Sequence, residues 1–191
     1  PRWMPDGRLA FISNRDGEMQ IYVADASGQN IRQVTKVAAG VQPPMVISPD
    51  GAAIAFVSDV KIGEDTPPNV HRLTRLLYRH WDEWRENLRH HVFVVASAGG
   101  ESRDLTPGDF DSPPYAASSN IDYAFSPDSR EIAYLRNPDK IEAISTNSDI
   151  YIADVNGGQP RDITASNHGY DATPIYTPDG KYILYRSQAT P

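Results

Sequence analysis

A four-residue phrase returns four times along this chain of 191 residues, as M-P-D-G at Met4 to Gly7, S-P-D-G at Ser48 to Gly51, S-P-D-S at Ser126 to Ser129 and T-P-D-G at Thr177 to Gly180. Each copy runs at once into an apolar, β-rich segment: Leu9 to Ile12, Ile54 to Val57, Ile132 to Leu135 and Tyr182 to Tyr185. A second phrase closes the first three units, R-Q-V-T at Arg32 to Thr35, R-D-L-T at Arg103 to Thr106 and R-D-I-T at Arg161 to Thr164. Such self-similarity means that one supersecondary unit is stacked repeatedly, because a single unit cannot bury its apolar faces alone. The fourth unit lacks the closing phrase, so the sequence is expected to be a piece of a larger protein.

Within a unit the pattern is strand, turn, strand. Gln20 to Ala24 alternates Ile21 and Val23 against Gln20 and Tyr22, and Asn14 to Gly17 reads as the hairpin turn before it. Ala24 to Gln29 and Ala153 to Gln159 turn the chain into the closing phrase, and short runs at Met45 to Ile47, Tyr123 to Phe125 and Pro174 to Tyr176 precede each later Pro-Asp-Gly. In the turn itself Pro pre-sets φ, Asp bonds the backbone ahead and Gly accepts positive φ. Asp6, Asp50, Asp128 and Asp179 are therefore turn formers rather than acid/base groups. β-Branched and aromatic residues fill the runs, which argues against a helical repeat. The expected fold is all-β, a partial β-propeller of about three and a half four-stranded antiparallel blades. Its units cover about 1–42, 43–120, 121–172 and a truncated 173–191.

The spacing is uneven: 44 positions from Pro5 to Pro49, 78 from Pro49 to Pro127 and 51 from Pro127 to Pro178. Most of the excess is an insertion at 59–90 between the second and third strands of the second unit. The third unit carries a smaller one at 136–148, and the link at 107–120 is also long. Leu73, Leu76, Leu77, Trp81, Trp84 and Leu88 recur near helical spacing, so the insertion is predicted to be partly helical and to anchor itself by that face. Second-to-third connections and inter-blade links leave an up-and-down sheet on the same side. That expanded side is the expected working face.

Composition excludes several classes. A net charge of −7 gives no broad basic surface for nucleic acid or an anionic membrane, and Arg72, Arg75, Arg79, Arg85 and Arg89 are interleaved with Asp82, Glu83 and Glu86 as on a solvated helix face. No run approaches the roughly 20 apolar residues of a membrane span, and no signal peptide is visible at the start. Cysteine is absent, and His71, His80, His90 and His91 match no zinc spacing, so neither a metal nor a cofactor is expected. Periplasmic and cytoplasmic locations both stay open, as does homo-oligomerisation.

The first unit, Pro5 to Thr35, resembles the repeat of TolB-type propellers. Y-R-H-W-D-E-W-R at Tyr78 to Arg85, H-H-V-F-V-V at His90 to Val95, N-P-D-K at Asn137 to Lys140 and S-T-N-S-D-I-Y at Ser145 to Tyr151 resemble the propeller of prolyl oligopeptidase family serine peptidases, in the acylaminoacyl-peptidase and dipeptidyl-peptidase V branch. The resemblance implies a parent peptidase with a downstream α/β-hydrolase domain carrying Ser, Asp and His, and a propeller that gates access for peptide substrates. The chain itself holds no G-x-S-x-G elbow, so no catalytic residue is assigned.

Exopeptidases of this kind hold the substrate's free amine with carboxylates, and dipeptidyl-peptidase relatives use a Glu-Glu pair that this chain lacks. Asp109 and Asp111 on the link and Glu142 in the third unit's insertion are the candidate substitutes, against the plainer reading of solvated loop carboxylates. Arg79, Trp81 and Glu83 are the candidate peptide-contacting rim. The alternative function is a TolB-like interaction scaffold; a glycosidase or lactonase propeller would need converging carboxylates or a metal.

Overall fold

The computed structural model describes residues 1–64, 67, 69–76, 78–85, 87–114 and 122–189, with only the backbone of His80 and Glu83. The first unit folds into β1 (Arg2–Trp3), β2 (Leu9–Ser13), β3 (Gln20–Ala24) and β4 (Arg32–Gln33). The second comprises β5 (Gln42–Ile47) and β6 (Ala53–Lys61), then a ribbon of β7 (Arg79–His80) and β8 (Glu83–Trp84), then β9 (Leu88–Ala96) and β10 (Arg103–Asp104). The third is β11 (Tyr123–Phe125), β12 (Glu131–Arg136), β13 (Asp149–Asp154) and β14 (Arg161–Asp162), and the fourth has β15 (Tyr170–Tyr176) and β16 (Ile183–Gln188). Three four-stranded sheets result, each in up-and-down order, with a two-stranded fourth. All registered pairs are antiparallel.

The sheets stack face to face, and strand alternation sorts their side chains between two neighbours. In β6, Ile54 and Phe56 join the core shared with the first blade, whereas Ala55 and Val57 join the core shared with the third. In β12, Ile132 and Tyr134 turn back to the second blade while Ala133 and Leu135 turn to the fourth. A strand buried on both faces has to be apolar throughout, which is why these runs are continuous rather than alternating. One cross-strand aromatic pair recurs in each full blade: Phe11 with Tyr22, Phe56 with Phe93, and Tyr134 with Tyr151, at 5.8, 5.6 and 5.8 Å between ring centroids. Such pairs add about 0.5–1.5 kcal/mol beyond their area. On the first blade the guanidinium of Arg15 covers both rings.

The two repeated phrases have distinct tasks. In the turn, Ser48 donates its hydroxyl to Asp50 at 2.6 Å and accepts the Ala53 N–H at 2.9 Å; Ser126 does the same with Asp128 and Glu131, and Thr177 with Asp179 and Tyr182. These hydroxyl bonds hold the carboxyls of Asp50, Asp128 and Asp179 below their ordinary range. The turns also touch from blade to blade: the Asp50 N–H donates to Ser129 Oγ at 3.2 Å, and a Cβ at Gly51 would meet Pro5 Cδ at 3.2 Å. In the closing phrase, the hydroxyls of Thr35, Thr106 and Thr164 accept the N–H groups of Ile21, Val92 and Ile150. Two of its arginines reach the next blade, Arg32 donating to the carbonyls of Ser97 and Ala98 and Arg103 to that of Asn156, whereas Arg161 pairs with Glu131 of its own blade.

Just before each threonine-capped N–H sits a buried polar residue: Gln20, His91 or Asp149. Gln20 accepts from Thr35 Oγ1 at 2.8 Å, and His91 Nδ1 donates to Asp104 at 2.6 Å. Asp149 accepts from Thr164 Oγ1 at 3.5 Å, but its other neighbours Asp162 and Asp171 are themselves acidic. Burial, then the charges of Asp162 and Asp171, push its carboxyl up to about 6.

Two outcomes are expected. Gly51 and Gly7 both lie at positive φ, but only Gly51 abuts Pro5. Gly51→Ala should therefore lower stability by about 1–2 kcal/mol and by more than Gly7→Ala, as read from urea unfolding midpoints. Asp149 holds its proton to about pH 6 when folded, against an ordinary 3.8. The folded state thus binds the extra proton between those values, and stability falls as pH rises through them and is level above. Asp149→Asn should flatten that slope and add on the order of 2 kcal/mol at pH 8, measured by chemical denaturation across pH.

Candidate functional site

The expanded side is built where β6 and β9 run on into the insertion. Their pairing continues to Lys61 opposite Leu88, the Ile62 N–H bonds Asn87 O at 2.6 Å, and Asn87 Nδ2 bonds Glu64 O at 2.8 Å. The insertion therefore spans 62–87 rather than 59–90.

It is not partly helical among its described residues. The chain passes through bends and the short β7–β8 ribbon, with positive φ at Asn69 and Trp81. Leu73, Leu76, Trp81 and Trp84 are exposed, Trp81 at 81%, so the expected apolar anchor does not form; Leu77 lies outside the described residues. Helical spacing stabilises a helix only when its apolar face meets a partner surface, and among the described residues Leu73 and Leu76 are left exposed instead.

Polar clamps hold the insertion instead. Arg85, 4% exposed, donates to Asp59 Oδ1 at 2.8 Å and to Asp111 Oδ1 at 3.2 Å. The same Asp111 oxygen accepts the His90 N–H at 2.7 Å. Alongside, Asp109 pairs with Arg89 at 2.8 Å and with Arg75 at 3.5 Å. Two link carboxylates are thus each gripped by the insertion and by β9. The link is seated further by Phe110, 6.2 Å from the His91 ring and beneath the Arg136 guanidinium at 3.8 Å, and by Ser112, whose hydroxyl donates to Leu135 O. Asp111 and, in part, Asp109 are therefore bound groups rather than solvated loop carboxylates, and Arg85 and Arg89 are buried rather than spread on a solvated face.

Glu142 opens a short 3-10 turn, Glu142–Ile144, in the third blade's insertion. It is half-buried, and no ion pair or hydrogen bond joins its carboxylate to a described residue. Burial and then the charge of Asp111 raise its pKa, with Asp109 adding to the rise and Arg75 and Arg89 opposing it. The structure thus brings Glu142, Asp109 and Asp111 into one electrostatic neighbourhood. Arg79, Trp81 and Glu83 all lie on the β7–β8 ribbon, where Arg79 Nε donates to Trp81 O at 2.7 Å and Trp84 stacks on His71 at 3.9 Å. Of Glu83 only the backbone is described.

His90 and His91 diverge and do not form a shared site. His91 bonds Asp104 and Gly108, while His90 faces Asp59 at 3.6 Å, with burial and Arg85 lowering its pKa. Sequence reasoning missed Asp59, Arg85 and Arg89 as site builders. The one available signal was the excess of arginine in an insertion flanked by Asp59, Asp109 and Asp111.

No protein-family model matches the chain. It is 36% identical over 202 residues to dipeptidyl-peptidase 5 of Porphyromonas endodontalis, covering 98% of this chain and 29% of that protein. The chain therefore spans less than a third of that relative's length. Acylaminoacyl peptidase from Pyrococcus horikoshii superposes with a TM-score of 0.72 at 17% identity, over 100% of this chain and 28% of that one. TolB from Acinetobacter baumannii superposes with a TM-score of 0.56 at 16% identity, over 97% of this chain and 36% of that one. The two structures establish the propeller fold, and the sequence relationship narrows it: the chain's homologues are propeller portions of peptidases, dipeptidyl-peptidase 5 among them.

Proposed function

We propose that this chain is the substrate-gating propeller portion of a serine exopeptidase, in which Glu142 receives the free amine of a peptide. The Ser, Asp and His of the reaction then come from an α/β-hydrolase domain of the same protein. One observation carries the reading: Glu142 is a half-buried carboxylate without an ion pair or hydrogen bond among the described residues, set beside two aspartates whose charges are already met by arginines. A carboxylate so placed is costly to ionise until a cation arrives, and an ammonium supplies it. Asp109, the more exposed of the two aspartates, is the second group within this neighbourhood for an amine. Arg79, Trp81 and Glu83 contribute the rim that peptides pass, with Trp81 offering a large apolar surface.

The exposed Val70, Leu73, Leu76, Trp81 and Trp84 favour one other reading, a protein-binding scaffold. The two separate on amine dependence. In the full-length protein, Glu142→Gln should raise KM for substrates with a free amino terminus by about 10- to 100-fold, at little cost for their N-acetylated counterparts. Equal effects on both substrates would favour the scaffold. The same substitution should leave the fold intact and slightly more stable. Ionised Glu142 lowers stability above its raised pKa, so Glu142→Gln gains a few tenths to about 1 kcal/mol at pH 8 and loses that advantage toward pH 4, as thermal melts at the two pH values would show.

A further inference from the structure

Three separate pieces of the expanded side converge on one guanidinium. Asp59 lies in the final turn-ward stretch of β6, Asp111 lies on the inter-blade link, and Arg85 itself comes from the insertion. Arg85 is also tied at its backbone, its N–H donating to Tyr78 O at 2.8 Å and its carbonyl accepting from Leu88 at 2.6 Å. Val70, Leu73, Leu76, Trp81 and Trp84 of the insertion are exposed, and among the described residues this clamp and the neighbouring Arg75–Asp109 pair join it to the link. A planar guanidinium spans two carboxylates in fixed geometry, which an ammonium on a flexible stem does not reproduce.

We propose that Arg85 is a positioning residue for the amine-binding site: by bridging Asp59 and Asp111 it fixes the link opposite Glu142 and cancels the negative charge of Asp111 there. The inference rests on Glu142 as the amine-holding group. Loss of the bridge has two consequences. The link carrying Asp109 and Asp111 loses its hold on the insertion, and the unpaired Asp111 repels the ionised form of Glu142 and so disfavours the state that binds an ammonium. Charged neighbours on every packed element belong to this balance: Asp59 on β6, Arg89 and His90 on β9, Arg75 on the insertion, and Asp109 on the link.

The test is steady-state kinetics of the full-length protein over about pH 5 to 9, with a dipeptide-derived substrate bearing a free amine. Labelling of the nucleophile by a small amine-free phosphonate reports an intact catalytic centre. Arg85→Met should raise KM for the free-amine substrate about tenfold with a smaller change in kcat. It should also move the acid limb of kcat/KM upward by roughly half a pH unit or more while labelling stays within about twofold of normal. Arg85→Lys, which keeps the charge but not the fork, should return the limb toward its original position and recover only part of KM. Asp59→Asn, which loosens the bridge from its other end and leaves the arginine in place, supplies the same comparison if Arg85→Met does not fold. An unmoved acid limb, or substrate turnover and labelling falling together in Arg85→Lys and Asp59→Asn, would overturn the proposal and leave Arg85 a purely structural residue. Glu142→Gln measured in parallel separates the two failures: an amine effect in Glu142→Gln without one in the Arg85 variants sinks only this inference, whereas none in Glu142→Gln sinks both.

Discussion

Face-to-face stacking of four sheets is the constraint on which everything else depends. A sheet wedged between two others has no polar face, so its central strands must be apolar on both sides, and here Ile54 and Phe56 serve one core while Ala55 and Val57 serve the next. The recurring aromatic pair at the second and third strands fills one of the two faces in every full blade. Because burial consumes both faces, variation is left to the strand ends, and there the chain places its long connections.

The two sides of the stack solve the same problem differently. On the tight-turn side, short-range bonds from Ser, Thr and Asp close each hairpin, and arginines of the closing phrase tie one blade to the next through backbone carbonyls. These contacts repeat because the geometry repeats. On the expanded side the threonine caps on Ile21, Val92 and Ile150 recur, but the clamps that hold the long connections do not. Arg85, Arg89 and Arg75 grip Asp59, Asp111 and Asp109 across pieces far apart in sequence. Buried ion pairs are poor sources of net stability but define geometry well, because an unpartnered charge there is costly. That makes them suited to holding the insertion and the link in register.

Much of this was legible beforehand. The Pro-Asp-Gly phrase fixes local backbone, so the strands at Gln20–Ala24 and Tyr123–Phe125 coincide with their expected bounds, and even Ser129 adopts the positive φ of the glycine it replaces. The expected helix in the insertion failed for a specific reason. Periodicity records which residues could share a face, not whether a surface exists to receive it, and Leu73 and Leu76 stay exposed. The candidate carboxylates were named, but the arginines that occupy Asp109 and Asp111 were not, since Arg85 reaches partners 26 positions away on either side.

The sequence by itself determined the repeat, the blade as its unit, the turns and the identity of the expanded side, because each depends on residues within a few positions of one another. Only the tertiary structure decided which charges meet and which is left over. Asp59, Arg85 and Asp111 are brought together by strand pairing and blade stacking. Glu142 is half-buried, and among the described residues no ion pair or hydrogen bond meets its carboxylate. Electrostatic pairing depends on distance in space, and no local pattern of residues encodes it.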